Sequence, residues 1–227
     1  MKKNSLCCIL LLGSTLLYSQ KKLSQFSYLA LGDSYTIGES VKTKLRWPVQ
    51  LVDSLKKYGV AMDDPQIIAK TGWTTDELKA GIDRATLDFP YDWVSLLIGV
   101  NNQYRGRSID QFRTEFEGLL SEAVFYSGNN KENVFVVSIP DWGAMPFAEG
   151  RDRKQIATEI DNFNQVIYEV CALEGIRFID ITPLSREVNI HPDWIAKDGL
   201  HPSGAQYSQW VQTIVANLLK EKSDGSK

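Results

Sequence analysis

Ser34 lies in LALGDSYTIGE, where an apolar run gives way to a polar turn and then to glycine. A serine hydroxyl is a weak nucleophile until a base takes its proton, and an imidazole is the side chain suited to that task near neutrality. The chain has two histidines. His201 sits in KDGLHPSG, three residues after Asp198. Across one tight turn that spacing can bring the carboxylate to the imidazole Nδ1–H and leave Nε2 to face a hydroxyl. His191, in IHPDW, is the rival base, but Asp193 beside it is less well placed to orient it. Attack on a carbonyl also needs donors for the developing oxyanion. The backbone N–H of Ser34, the N–H of Gly72 in KTGWTT and the side-chain amide of Asn101 in IGVNNQYRG are the candidates. Each motif alone also reads as a turn or a helix cap. Their occurrence together, in this order, points to acyl transfer.

The elements that must position these residues follow from periodicity. Five short apolar runs read as strands: Phe26–Leu31, Gln66–Ala69, Trp93–Ile98, Val134–Ile139 and Arg177–Ile181. The third and fourth are apolar nearly throughout, as strands buried on both faces are. Between them, helical spacing links Trp47, Leu51, Leu55 and Tyr58, then Ile109, Phe112, Phe116 and Leu119 or Leu120, then Ile156, Ile160, Phe163, Ile167 and Val170. A last helix after Ser203 carries Tyr207, Trp210 or Val211, Ile214 and Leu218. Alternating strands and helices predict an α/β fold, a parallel sheet between two helical layers. In such a sheet, sites form beyond the carboxyl ends of the strands. Ser34, Gly72, Gly99 to Asn102 and Asp141 each follow such an end.

The chain has 227 residues and a formal charge of −3, with no basic field for nucleic acid. Lys2 and Lys3 precede an apolar run from Leu6 to Tyr18, the layout of a signal peptide over residues 1–19 with cleavage after Ser19. The run is short for a permanent span, so no stable membrane span is expected after cleavage, and the protein is expected to be secreted or periplasmic. An uncleaved anchor or lipidation at Cys7 or Cys8 are the alternatives. Cleavage removes two lysines and takes the charge from −3 to −5. It also leaves Cys171 alone, read as a buried thiol, so the mature chain has no internal disulfide. Residues 20–220 form a single domain, and 221–227 read as a disordered tail. The sparse histidines argue against a multi-histidine metal site, and no cofactor is expected. Trp73, Asn102 and Trp142, with Met145 and Phe147 nearby, are candidates for a cleft wall, although core packing accounts for the aromatics equally well.

The sequence resembles the SGNH, or GDSL, hydrolase family through GDSYTIG at 32–38, Gly72, GVNN at 99–102 and DGLH at 198–201. The resemblance implies a three-layer αβα sandwich with a five-stranded parallel, flavodoxin-like sheet. It also implies Ser34 as nucleophile, His201 as base, Asp198 as its orienter, and an oxyanion hole from Ser34, Gly72 and Asn101. The substrate it implies is a small-molecule, lipid or glycan ester, with no metal or cofactor. Two departures stand out: Asn102 replaces the usual aspartate of the third block, and Lys70 and Thr71 stand where a further glycine is common. A thioesterase or O-acyltransferase with the same triad, a non-catalytic glycan- or lipid-binding module, and a phosphate- or flavin-binding loop at Ser34 are the other readings.

Overall fold

The computed structural model describes residues 25–224, so the segment expected as a signal peptide lies outside the described residues. Five strands form one sheet: β1 (Tyr28–Gly32), β2 (Gln66–Ala69), β3 (Trp93–Leu97), β4 (Val134–Val137) and β5 (Arg177–Ile179). They are all parallel, in the order β2-β1-β3-β4-β5. The chain therefore runs from β1 outward to β2, returns to β3 beside β1, and continues outward the other way. The reversal falls between β1 and β3. Beyond the carboxyl ends of those two strands the connections part in opposite directions, which opens a crevice there.

All five β1 residues are buried, as are Val134 to Val137 of β4, in keeping with strands covered on both faces. The helices are α1 (Ser34–Ile37), α2 (Trp47–Lys57), α3 (Thr75–Arg84), α4 (Val100–Tyr104), α5 (Ile109–Tyr126), α6 (Arg153–Glu174), α7 (Thr182–Arg186) and α8 (Gly204–Asp224). α2 packs on α8 in one layer, and α5 packs on both α3 and α6 in the other. The periodic residues face inward: Leu51 and Leu55 of α2, Phe112 and Phe116 of α5, Ile160 and Ile167 of α6, Tyr207, Trp210 and Ile214 of α8 are all buried. Burying each such side chain contributes about 1.5–3 kcal/mol, and it is this core that holds the sheet between its helices. Cys171 is a free thiol inside it, and burial pushes its pKa up to about 12.

β4 and β5 end two residues earlier than apolarity suggests, for a hydrogen-bonding reason. Past β4, the Ile139 N–H donates to Asn164 Oδ1 (2.9 Å), while Ser138 Oγ accepts from the Ile181 and Thr182 N–H groups. Side chains take over the ladder, and the strands stop at Val137 and Ile179. Tyr58, expected on the inner face of α2, is instead the helix's exposed C-cap. α3 carries too few large apolar residues to show by periodicity, but Thr74 and Glu77 form a capping box at its start. α8 runs on to Asp224, into the segment expected as a tail.

Candidate active site

Ser34 is the first residue of α1, two positions after β1 ends at Gly32, and it is buried. Asp33 caps that turn, its Oδ1 accepting from the Tyr35 N–H at 3.0 Å. Only glycine fits before it: a Cβ on Gly32 would lie 2.5 Å from the Leu97 carbonyl oxygen and 2.2 Å from Thr36 Oγ1. The chain thus reverses tightly against the end of β3, and the serine is presented at the sheet rim. The Asp33 carboxyl is fully buried, and desolvation pushes its pKa up to about 7 despite the backbone bond from Tyr35.

His201 comes from the loop before α8. Its Nδ1 lies 2.7 Å from Asp198 Oδ2. An ionised carboxylate can only accept, so Nδ1 carries the proton and Nε2 is left as the acceptor in the neutral ring. Asp198 Oδ1 accepts from the Leu200 and His201 N–H groups, both at 3.0 Å, which closes the turn that the DGLH spacing suggested. Oδ2 also accepts from the Ser40 hydroxyl at 2.5 Å. Partial burial works against ionisation, yet the bonds from Ser40, from both backbone N–H groups and from the imidazole outweigh it. They hold Asp198 well below the usual carboxylate range. Ser40 had no signal in the sequence, because its partner is 158 positions away.

The serine turn and the histidine loop are tied together. The Tyr35 ring sits 5.3 Å from the His201 ring, and the Tyr207 hydroxyl of α8 donates to the Tyr35 carbonyl at 3.0 Å. Ser203 Oγ accepts from the Ala205 N–H (3.2 Å), fixing the start of α8 behind His201. His191 is engaged elsewhere, stacked on Trp194 at 4.1 Å.

A pocket of about 170 Å³ opens beyond β1 and β3, lined by Ser34, Asn101, His201 and Leu200 with the rings of Tyr35, Tyr104, Trp142 and Phe147, and Val100. The structure therefore brings Ser34, His201 and Asn101 to one cavity, with Asp198 on the far side of the imidazole. Asn101 Nδ2 donates one hydrogen to the Trp73 carbonyl at 2.9 Å, and an amide nitrogen has a second to give. Gly72 is not among the lining residues. It has a φ of +84°, suited to glycine, and its carbonyl accepts from Arg105 Nη2 at 2.6 Å, holding the loop after β2 against α4.

Of the three residues expected in the cleft wall, Trp142 lines the pocket and the other two do not. Asn102 is fully buried: its Nδ2 donates to Thr75 Oγ1 (2.7 Å) and its Oδ1 accepts from the Thr75 N–H (3.2 Å). It is a staple between α4 and α3, and its amide supplies a donor that an aspartate there would lack. The Trp73 ring packs on α3 at Gly81, where an added Cβ would come within 2.2 Å of it. Met145 is buried in a small cluster with Val188 and Trp194. Among the described residues no group of three or more histidine, cysteine, aspartate or glutamate side chains is arranged to hold a metal, and no helix is long and apolar enough to cross a membrane.

Comparison with known proteins gives this arrangement relatives. The acetylxylan esterase of Geobacillus stearothermophilus is 24% identical over 144 residues, which is 60% of this chain and 63% of that protein. The chain thus matches less than two thirds of that relative's length. Among solved structures, the lipase/acylhydrolase from Enterococcus faecalis superposes with a TM-score of 0.64 at 23% identity, over 87% of this chain and 97% of that one. The psychrotrophic esterase EstA from Pseudoalteromonas, inhibited by monoethylphosphonate, does so with a TM-score of 0.66 at 13% identity, over 88% of this chain and all 100% of that one. These likenesses bear out the three-layer α/β sandwich. Residues 30–209 match the GDSL-like lipase/acylhydrolase family, a span that takes in Ser34 at one end and His201 at the other, and the chain belongs to that family.

Proposed function

We propose that this member of an ester-hydrolysing family is a serine esterase working through an acyl-serine intermediate. His201 Nε2 takes the Ser34 proton as Oγ attacks the ester carbonyl. The oxyanion is received by the Ser34 N–H and the free Asn101 amide hydrogen, from two residues that line the pocket; the Gly72 N–H, outside that lining, is the third donor that the family resemblance implies. His201 then returns the proton to the leaving alcohol, and water, activated by the same imidazole, releases the acid and restores Ser34. Asp198 holds the ring in the required tautomer and stabilises the imidazolium. The observation that carries this reading is the shared pocket of Ser34 and His201, with Asp198 on the opposite ring nitrogen.

At about 170 Å³ the pocket favours a short acyl group such as acetyl, since sites for larger ligands run to about 300–1,000 Å³. The kinship with an acetylxylan esterase agrees with that size. A panel of para-nitrophenyl esters of increasing acyl length, with Ser34→Ala as control, tests both points. Turnover is expected to be fastest with acetate and absent in the variant; turnover that persists in Ser34→Ala defeats the assignment. We also propose export, because Lys2 and Lys3 precede the apolar run to Tyr18. The mature N-terminus is then expected at Gln20.

A further inference from the structure

Three of the rings that wall the pocket share one guanidinium. Arg151 Cζ lies 5.4 Å from the Tyr104 ring centroid, 5.3 Å from that of Trp142 and 5.7 Å from that of Phe147. Its Nη2 also donates to the Tyr104 hydroxyl at 3.3 Å. Arg151 is exposed, and it makes no ion pair among the described residues. Arg105, Arg107, Arg113 and Arg186 differ, since each lies against a carboxylate.

A guanidinium has five N–H donors in one plane. The three rings gather around it, the Tyr104 hydroxyl takes one donor, and the other four have no partner among the described residues. The remaining edge matches a carboxylate, which it can bind through two parallel bonds. Because the rings and the Tyr104 hydroxyl already engage the guanidinium, less side-chain freedom is lost when an anion arrives than for an arginine without such contacts. No lysine, arginine or carboxylate lines the pocket itself. Arg151 thus sets a positive charge against the aromatic wall of the pocket.

We propose that Arg151 is a specificity-determining residue that receives a carboxylate carried by the substrate, so that the preferred substrates are esters of acidic molecules, such as acylated acidic sugars or hydroxy acids. This rests on the esterase reading of the same pocket. The kinetic test compares two pairs of esters that differ in charge but little in shape. One pair carries the charge on the acyl side, para-nitrophenyl hemisuccinate against para-nitrophenyl butyrate. The other carries it on the alcohol side, para-acetoxybenzoate against para-acetoxybenzamide. The wild type is expected to favour the anionic member of at least one pair by about tenfold in kcat/KM. Arg151→Gln should bring that ratio to about one, Arg151→Lys should retain part of it, and added salt should shrink it. Equal ratios in wild type and Arg151→Gln for both pairs overturn the proposal. Calorimetry with benzoate and benzamide on Ser34→Ala protein reads the anion site without turnover. Tighter benzoate binding that disappears on adding Arg151→Gln upholds the site even in a protein that hydrolyses no ester, whereas benzoate binding indifferent to Arg151 overturns it.

Discussion

The Ser40 hydroxyl donates to Oδ2 of Asp198, the same oxygen that receives His201 Nδ1–H. Ser40 follows α1 and Asp198 precedes α8, so one hydrogen bond joins the loop of the proposed nucleophile to the loop of the proposed base. Ser40 also has a φ of +62°, in the left-handed region that non-glycine residues rarely adopt. Backbone strain of this kind persists where the surroundings impose it, often at functional sites.

Removing the hydroxyl is expected to slow turnover by about tenfold, because the Asp198 carboxylate loses one of its fixed positions. Ser40→Ala and Ser40→Gly separate this from backbone effects. Glycine relieves the left-handed conformation and alanine does not, so Ser40→Gly is expected to melt at or above the wild-type temperature and Ser40→Ala below it. Both are expected to lose activity to a similar extent. A Ser40→Gly protein with full kcat would show that the hydroxyl does not act on Asp198.

Two adjacent asparagines are expected to fail differently. Asn101→Ala removes a proposed oxyanion donor and should lower kcat by about a hundredfold or more, with little change in melting temperature. Asn102→Ala leaves the buried Thr75 N–H without its partner and should cost about 1–3 kcal/mol of stability. Urea denaturation and steady-state rates on both proteins check the contrast. A stable, slow Asn102→Ala would move the donor role to Asn102.

The Asp33 carboxyl gives a signed pH prediction. Its folded pKa is raised from 3.8 to about 7 by burial, so the folded protein keeps a proton that the unfolded chain releases. Its contribution to stability is therefore greatest at low pH and falls as pH rises through about 7. An asparagine amide in its place cannot ionise and can still accept from the Tyr35 N–H. Asp33→Asn is expected to melt above the wild type by roughly 4 °C or more at pH 8, with the gap closing towards pH 4. Melting curves at the two pH values decide it, and a gap independent of pH would contradict the buried-carboxyl account.

Gly32→Ala is expected to cost about 3 kcal/mol or more, because the new Cβ meets a backbone carbonyl at the end of β3 that cannot rotate away. Denaturant midpoints measure it. A variant as stable as the wild type would mean that the turn after β1 has room to give.

How much of this was legible beforehand depended on the range of the interaction. The strands showed because Val134 to Val137 and their counterparts are apolar on both faces. The Asp198–His201 contact showed because it closes within one turn. Ser40, Arg151 and the Asn102 staple did not show, since each acts on residues brought close by the fold alone. Trp73 and Trp142 were indistinguishable as letters. Their fates parted because Gly81 leaves a seat for one ring on α3, while Trp142 is held at the pocket by its Nε1–H donating to Gln103 Oε1 at 2.8 Å. The boundaries of β4 and β5 were obscured for a similar reason, because Ser138 and Asn164 side chains replace a ladder that apolarity alone would extend.

Ser34 Oγ is expected to be the atom that attacks, and every catalytic role proposed above depends on it. Intact-mass and peptide-mapping spectrometry after exposure to a fluorophosphonate measures this directly. One adduct per chain on the peptide bearing Ser34 is expected, formed far more slowly in His201→Ala and not at all in Ser34→Ala. Modification of another residue, or equal labelling of wild type and Ser34→Ala, would contradict it.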